Sequence, residues 1–291
     1  MPDISKQWNS TAPSRRPPPQ NDFNGDSRTR GHKKMTETIP SIGVGRQGHV
    51  ATIALNRPPH NFLDLPFVRE LADAFDALSK DDTCRAIVLR SSGKTFCAGA
   101  DFGAVPQDEA APDPAPFYAQ AMRLFEGCKP LVAAIGGPAI GAGLGLALAC
   151  DFRVATASAR FSANFCRLGF HPGFGMSLTL PRLVGQQQAA RLFYTGRRIG
   201  GEEAARIGLV DELVDDDALL DAASQLAQDI ADSAPLAVAS TRATLRGALA
   251  TDVALANRHE LAQQRRQFAT ADFREGVAAM AVRRLPRFVG R

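Results

Sequence analysis

A chain of 291 residues, 45% apolar and 22% charged, with 25 glycines and 19 prolines, can bury one large core and has an ordinary globular composition. Peptide-scale and disulfide-scaffold classes are excluded. The formal net charge of +4 resides in residues 1–34, where seven Lys and Arg face three Asp, so the rest is neutral and offers no broad footprint for a nucleic acid. A local pair such as Arg197 and Arg198 can still meet a single phosphate group.

The tail contains SRRPPPQ at 14–20, which forms neither a helix nor a central strand. Residues 1–39 are therefore expected to be a disordered N-terminal extension, with Met35 before TETIPS as an alternative start. No apolar run opens the chain, and the aspartates and prolines of the tail argue against a transit peptide. Cys84, Cys97, Cys128, Cys150 and Cys166 are odd in number and form no C-x-x-C pair, the usage of reduced thiols in a cytoplasmic compartment.

After the tail the pattern predicts a strand at 49–55 and an amphipathic helix at 65–79, with Leu65, Val68, Leu71, Ala72, Phe75 and Leu78 on one face. A strand at 84–90 leads into the glycine-bearing loop SSGKTFCAGADFG, and a Pro, Ala and Asp-rich stretch follows at 105–116. The rhythm recurs as a helix at 117–128, a strand at 131–135, a glycine turn, a buried helix to about residue 150 and a strand at 152–155. The segment 131–150 carries no charge over the length of a membrane span. Gly136, Gly137 and Pro138 interrupt it, however, and Lys129 and Asp151 close it, so it reads as a buried strand, turn and helix. The class is α/β, a repeat of β-β-α units with helices covering sheets.

Helices are expected at 186–194, 202–207, 215–232, 237–250 and 253–282, with more apolar residues than one thin layer hides. Such helices dock on the parent core or on a second subunit. The division expected is an extension at 1–39, a core at 40–232 and a helical oligomerisation region at 233–291.

Several familiar motifs fail. Gly93-Lys94-Thr95 lacks the upstream glycine of a phosphate loop, Val88 standing there. The string GVGRQG at 43–48 precedes a strand instead of leading from one into a helix, so it reads as a turn and not as a dinucleotide site. There is no G-x-S-x-G elbow and no cluster with metal-ligand spacing. What remains are two small-residue loops, FCAGAD at 96–101 and IGAGLG at 140–145, each following a strand and heading toward a helix. One peptide N–H from each can converge on a carbonyl oxygen, with the positive end of the second helix behind it, and so hold an enolate without a catalytic side chain. The same residues would also serve only to permit tight turns and close packing.

These loops, together with GPAIGAGLGLALACD, ARFSANFCRLGFHPGFG, YTGRRIGGEEAARIGLVDELV and the closing FREGVAAMAVRRLPRF, resemble the crotonase (enoyl-CoA hydratase/isomerase) superfamily in order and spacing over residues 40–291. The resemblance implies a spiral of β-β-α units with a C-terminal α-helical trimerisation region, assembled as a homotrimer or dimer of trimers. It implies an acyl-CoA substrate, with coenzyme A arriving as part of that substrate and no permanently bound cofactor. It places the two oxyanion donors on the backbone of Ala100 and Ala142. Coenzyme A would pass His60, Asn61 and Phe62 and the loop of Ala98, Asp101 and Phe102, with Ile140, Gly141, Gly143, Phe165 and Phe170 around the acyl group.

Hydratases of this superfamily use two glutamates to handle water and its protons; the matching positions here are Gly145 and Phe165. Their loss removes groups worth about 10²–10⁴-fold each. His171, in GFHPGFG, is the expected substitute acid or base. Asp108, Glu109 and Glu126 stand behind it, and Cys166 reads as a packed thiol. Asp101 is expected to cap a helix, Asp151 to be architectural, and Phe165, Phe170 and Phe174 to line either an acyl pocket or the core. Three functions stay open: a hydratase-like enolate enzyme, a double-bond isomerase or C–C hydrolase using His171, and a non-catalytic acyl-CoA-binding protein.

Overall fold

In the computed structural model, which describes residues 40–102 and 113–291, Ile42–Gln47 (β1) and Val50–Leu55 (β2) form an antiparallel hairpin. Gly48 takes φ +56° at the first position of its two-residue loop, as the primed hairpin turns require. The sequence reading of 43–48 as a turn is corrected here. Gly43 and Gly45 lie within a paired edge strand, and only Gly48 turns the chain.

Beyond β2 the sheet is parallel. Ala86–Ser91 (β3), Leu131–Ile135 (β4), Phe152–Thr156 (β6) and Glu212–Val214 (β9) complete the order β1-β2-β3-β4-β6-β9. Both faces of this sheet are covered, which is why β4 and the first four residues of β3 read as unbroken apolar runs. Leu65–Ser79 (α1) buries Phe67, Val68, Leu71, Ala72, Phe75 and Leu78 in the main core, and Asp64 caps it by accepting from the Phe67 N–H at 2.9 Å. Leu219–Asp232 (α7) lays Leu219, Ala223, Ala227 and Ala231 on Val50, Ala86, Val88, Val132 and Val154 of the sheet.

A second sheet joins Pro138–Ile140 (β5), Arg160–Ser162 (β7) and Arg198–Gly200 (β8). The pairs β4-β5 and β6-β7 each hand the chain from the first sheet to the second, and a helix follows each, which is the spiral expected. Ala142–Ala149 (α3) is buried throughout, so the uncharged segment at 131–150 resolves into β4, β5 and α3. Among the described residues no helix is long and apolar enough to cross a membrane.

Ala115–Arg123 (α2), Met176–Val184 (α4), Gln186–Thr195 (α5), Gly201–Arg206 (α6), Pro235–Arg246 (α8), Leu249–Gln267 (α9) and Ala271–Ala281 (α10) complete the helices. The helix expected at 253–282 is two. Thr270 accepts from the Phe273 N–H at 3.1 Å, caps α10 and separates it from α9. The N-terminal extension, Asp108 and Glu109 lie outside the described residues.

Candidate functional site

The two small-residue loops meet because the first runs alongside β5. The Cys97 N–H donates to Pro138 O at 2.9 Å, and the Ile140 N–H donates to Cys97 O at 3.0 Å. The His60–Phe62 stretch joins them: the Ala98 N–H donates to His60 O at 3.0 Å, and the Leu63 N–H to Gly99 O at 2.8 Å. Asn61 fastens this edge from within. It is buried at φ +49°, and its Nδ2 donates to Ser91 Oγ, Thr95 O and Phe96 O at 2.8, 2.9 and 3.1 Å.

The approach of the loops is close enough to dictate glycine. A Cβ on Gly99, at φ +84°, would stand 2.6 Å from Ile140 O and 3.2 Å from Ala142 N, and one on Gly143 would collide with Cys97 O. Gly141 takes φ +54° and opens α3, whose first helical hydrogen bond runs from the Gly145 N–H to Gly141 O at 3.1 Å. The Ala142 N–H therefore has no partner inside its helix. Among the described residues neither it nor the Ala100 N–H has a hydrogen-bond acceptor. Two donors and a helix N-terminus thus lie at the junction of the two loops, a setting that favours a developing negative charge.

Positions 145 and 165, where the resemblance leads one to expect carboxylates, are packed with hydrocarbon. A Cβ on Gly145 would lie 2.6 to 2.8 Å from the Phe174 side chain. Phe165 lies on a 3-10 turn, Asn164–Leu168, with its ring tip 4.0 Å from where a Cβ of Gly141 would stand. Phe170 packs edge-on against Phe165, Phe102, Phe268 and Phe273 at 5.1 to 5.6 Å, so the expected pocket residues form one aromatic cluster with the C-terminal helices. Asn164, which sequence reasoning did not single out, brings a carboxamide oxygen within 3.3 Å of that same Gly141 Cβ position.

His171 finds its partners in its own loop and in α9. Its Nδ1 meets Pro172 O at 2.7 Å, its N–H donates to Gln267 Oε1 at 2.6 Å, and its ring stacks edge-on to His259 at 5.7 Å. None of these partners belongs to the two amide loops. His171 lines a cavity of about 410 Å³ with Cys166, Phe170, Phe193, Tyr194 and Gln267. Burial pushes the Cys166 thiol up, which disfavours the thiolate. Glu126 is exposed on the surface after α2. Among the described residues no group of His, Cys, Asp and Glu could hold a metal ion.

The GFHPGFG loop is held from α9 by a residue that the sequence did not mark. Glu260 is fully buried and accepts from the Gly175 N–H at 2.7 Å, the Ser177 N–H at 2.8 Å and the Ser177 hydroxyl at 2.6 Å. Burial pushes its carboxyl up in spite of these donors. Gln264 donates to His171 O at 2.9 Å and to the Tyr118 hydroxyl at 3.0 Å.

Against known proteins, a family model described as enoyl-CoA hydratase/isomerase matches residues 45–291. The chain is 36% identical over 257 residues to a crotonyl-CoA hydratase of Syntrophomonas wolfei, covering 86% of this chain and 98% of that protein. It is 33% identical over 250 residues to a 1,2-epoxyphenylacetyl-CoA isomerase of Escherichia coli K12, covering 83% and 95%. A crystal structure of an enoyl-CoA hydratase/isomerase from Pseudoalteromonas atlantica superposes with a TM-score of 0.77 at 34% identity, over 86% of this chain and 100% of the other. A β-β-α spiral with two small-residue loops meeting at a helix N-terminus, matched along nearly its whole described length, makes this chain a member of the enoyl-CoA hydratase/isomerase family, the crotonase superfamily.

Proposed function

We propose that the protein acts on an acyl-CoA thioester by holding its enolate between the Ala100 and Ala142 N–H groups, in a site where neither hydratase carboxylate is present. The observation that carries this reading is the approach of the loops, with Gly99 against the backbone of Ile140 and Ala142, and two donors left without acceptors among the described residues. The thioester oxygen gains negative charge as the enolate forms, and donors fixed in place stabilise it without reorganising. His60, Asn61 and Phe62 with Ala98, Asp101 and Phe102 line the route of coenzyme A. Ile140, Gly141, Gly143, Phe165 and Phe170 surround the acyl group. Relatives of near-equal identity carry the names of a hydratase and of an isomerase, so the reaction is set by the lining and not by the scaffold.

The test uses two thioesters. Acetoacetyl-CoA, already enolisable, is expected to bind and to show the absorbance of its enolate, whereas crotonyl-CoA, followed by loss of its conjugated absorbance, is expected to hydrate at least about 10²-fold more slowly than with a two-glutamate hydratase. Failure to bind acetoacetyl-CoA would end the reading. The hydrocarbon at Gly145 and Phe165 favours a second reading, a binding protein without turnover, which predicts binding and no reaction with any acyl-CoA. A third, isomerisation or C–C hydrolysis through His171, requires His171→Ala to lose turnover; unchanged turnover would remove it.

The C-terminal helices are proposed to join copies of the chain as a homotrimer or dimer of trimers. Leu236 and Leu245 on α8 are 85% and 75% exposed, and Leu255, Val282 and Leu285 are exposed as well. Light scattering is expected to give three or six chain masses. The five cysteines are all unpaired, in keeping with the cytoplasmic location proposed.

A further inference from the structure

Three features of Phe174 go unused by the enolate reading. Its side chain lies where any Cβ at position 145 would fall, with Cγ, Cβ and Cδ1 at 2.6 to 2.8 Å, and those atoms include the root of the side chain, which cannot swing aside. Its backbone is left-handed at φ +65°, a region that residues with side chains rarely occupy. Its neighbours are fixed on both sides: the Gly175 N–H donates to buried Glu260 at 2.7 Å, and a Cβ on Gly173 would collide with the Tyr118 hydroxyl. The ring itself is fully buried, with Phe117 and Phe125 each 6.3 Å away.

Position 145 lies three residues along α3 from Ala142, on the same helix face as the proposed donor. A strained conformation held from both sides at such a place points to function. We propose that Phe174 is the specificity-determining residue of the acyl-CoA site: by filling the volume over Gly145 it bars every side chain, carboxylates included, from that turn of α3. The inference rests on the enolate reading and deepens it. Filled by a phenyl ring, that turn of α3 presents no polar group to the site. The substrate class is then a thioester with apolar substituents at the reacting carbons, converted without attack of water at the β-carbon. Gly145 and Phe174 act as one steric unit, so carboxylates cannot be restored one position at a time.

The test is a gain of function. Gly145→Glu/Phe165→Glu is expected to gain no crotonyl-CoA hydration over the wild type. Adding Phe174→Gly, a residue suited to the left-handed backbone, is expected to raise hydration by at least about 100-fold over that pair. Equal hydration by the double and triple variants, with acetoacetyl-CoA affinity kept, would overturn the inference. Because these chains can fail to fold, a second cycle decides independently: Gly145→Ala is expected to lower the melting temperature in the wild-type background and not in Phe174→Gly. Equal cost in both backgrounds would overturn the steric unit. Wild-type protein that fails to bind acetoacetyl-CoA would instead count against the enolate reading itself.

Discussion

Ala142→Pro is expected to abolish the enolate absorbance of bound acetoacetyl-CoA and to lower turnover of an acyl-CoA substrate by roughly 10²–10³-fold, the cost of one lost oxyanion donor. The substitution suits the fold unusually well. Ala142 is the first residue of α3, where proline's fixed φ fits and its missing N–H breaks no helical bond. Gly141 before it has ψ −120°, outside the α region that a following proline disfavours. Gly99 opposite has no Cβ to meet the ring. The melting temperature is therefore expected to stay within a few degrees of the wild type while the chemistry falls, a separation measurable by thermal unfolding beside a kinetic assay. Loss of fold and function together would leave the amide without an assigned role. Full activity in a folded Ala142→Pro protein would refute the two-amide reading.

The reason to expect so large an effect from one backbone group lies in what the site lacks. On the proposed reading a hydratase divides the work between amides and carboxylates, whereas Gly145 and Phe165 carry no acid and the space over the first is taken by Phe174. The proposal then places the burden of stabilising charge on the amides. An apolar surround lowers the local dielectric and strengthens each remaining hydrogen bond. The family relation fixes the scaffold.

The features legible in the sequence were those written in periodicity and in loop chemistry. α1 and β4 have the limits expected, 65–79 and 131–135, because an amphipathic stripe and a short apolar run bounded by Pro130 and Gly136 leave little choice. The meeting of FCAGAD with IGAGLG was legible only as two loops of small residues; their contact through Cys97 and Ala139 is a pairing between strands distant in sequence. Short strands were missed. β8 and β9 have three residues each, too few for alternation to show, and their pairing partners are set by the tertiary fold. α4 was missed because Gly173 and Gly175 precede it and Pro181 lies within it, all residues that mark a break in local propensity. Glu260 was invisible for another reason. On an amphipathic helix a glutamate reads as solvated, and only the packing of α4 on α9 reveals that it caps the GFHPGFG loop. His171, chosen for its chemistry, has hydrogen bonds and a ring contact in that loop and α9, and a sequence carries no measure of which way a loop histidine turns.

Asp151→Ala is expected to cost about 3–5 kcal/mol of folding stability, the scale for removing one partner from a buried ion pair. Asp151, directly after α3 and Cys150, accepts from the Leu131 N–H at 2.9 Å, from Arg242 Nε at 3.0 and 3.1 Å and from Arg246 Nη1 at 2.7 Å. The side chains are 12%, 11% and 16% exposed, so one carboxylate balances two nearly buried cations. Burial pushes the Arg242 guanidinium down, and Asp151 opposes that shift. Arg242 Nη2 and Arg246 Nε already lack partners among the described residues, so no acceptor is in reserve once the carboxylate is gone. α8 buries no side chain of its own and reaches the body through these two arginines, which donate also to Gly127 O and Ala149 O. Urea titration is expected to show the midpoint falling with little change in slope, and hydrogen exchange to show the amides of 235–246 losing protection first. Asp151→Asn, which keeps an acceptor for Leu131 but no charge, is expected to fall between. A loss no larger than the ~1 kcal/mol of an exposed pair such as Arg265 with Asp113 would mean that α8 is held by its apolar face and not by the ion triad.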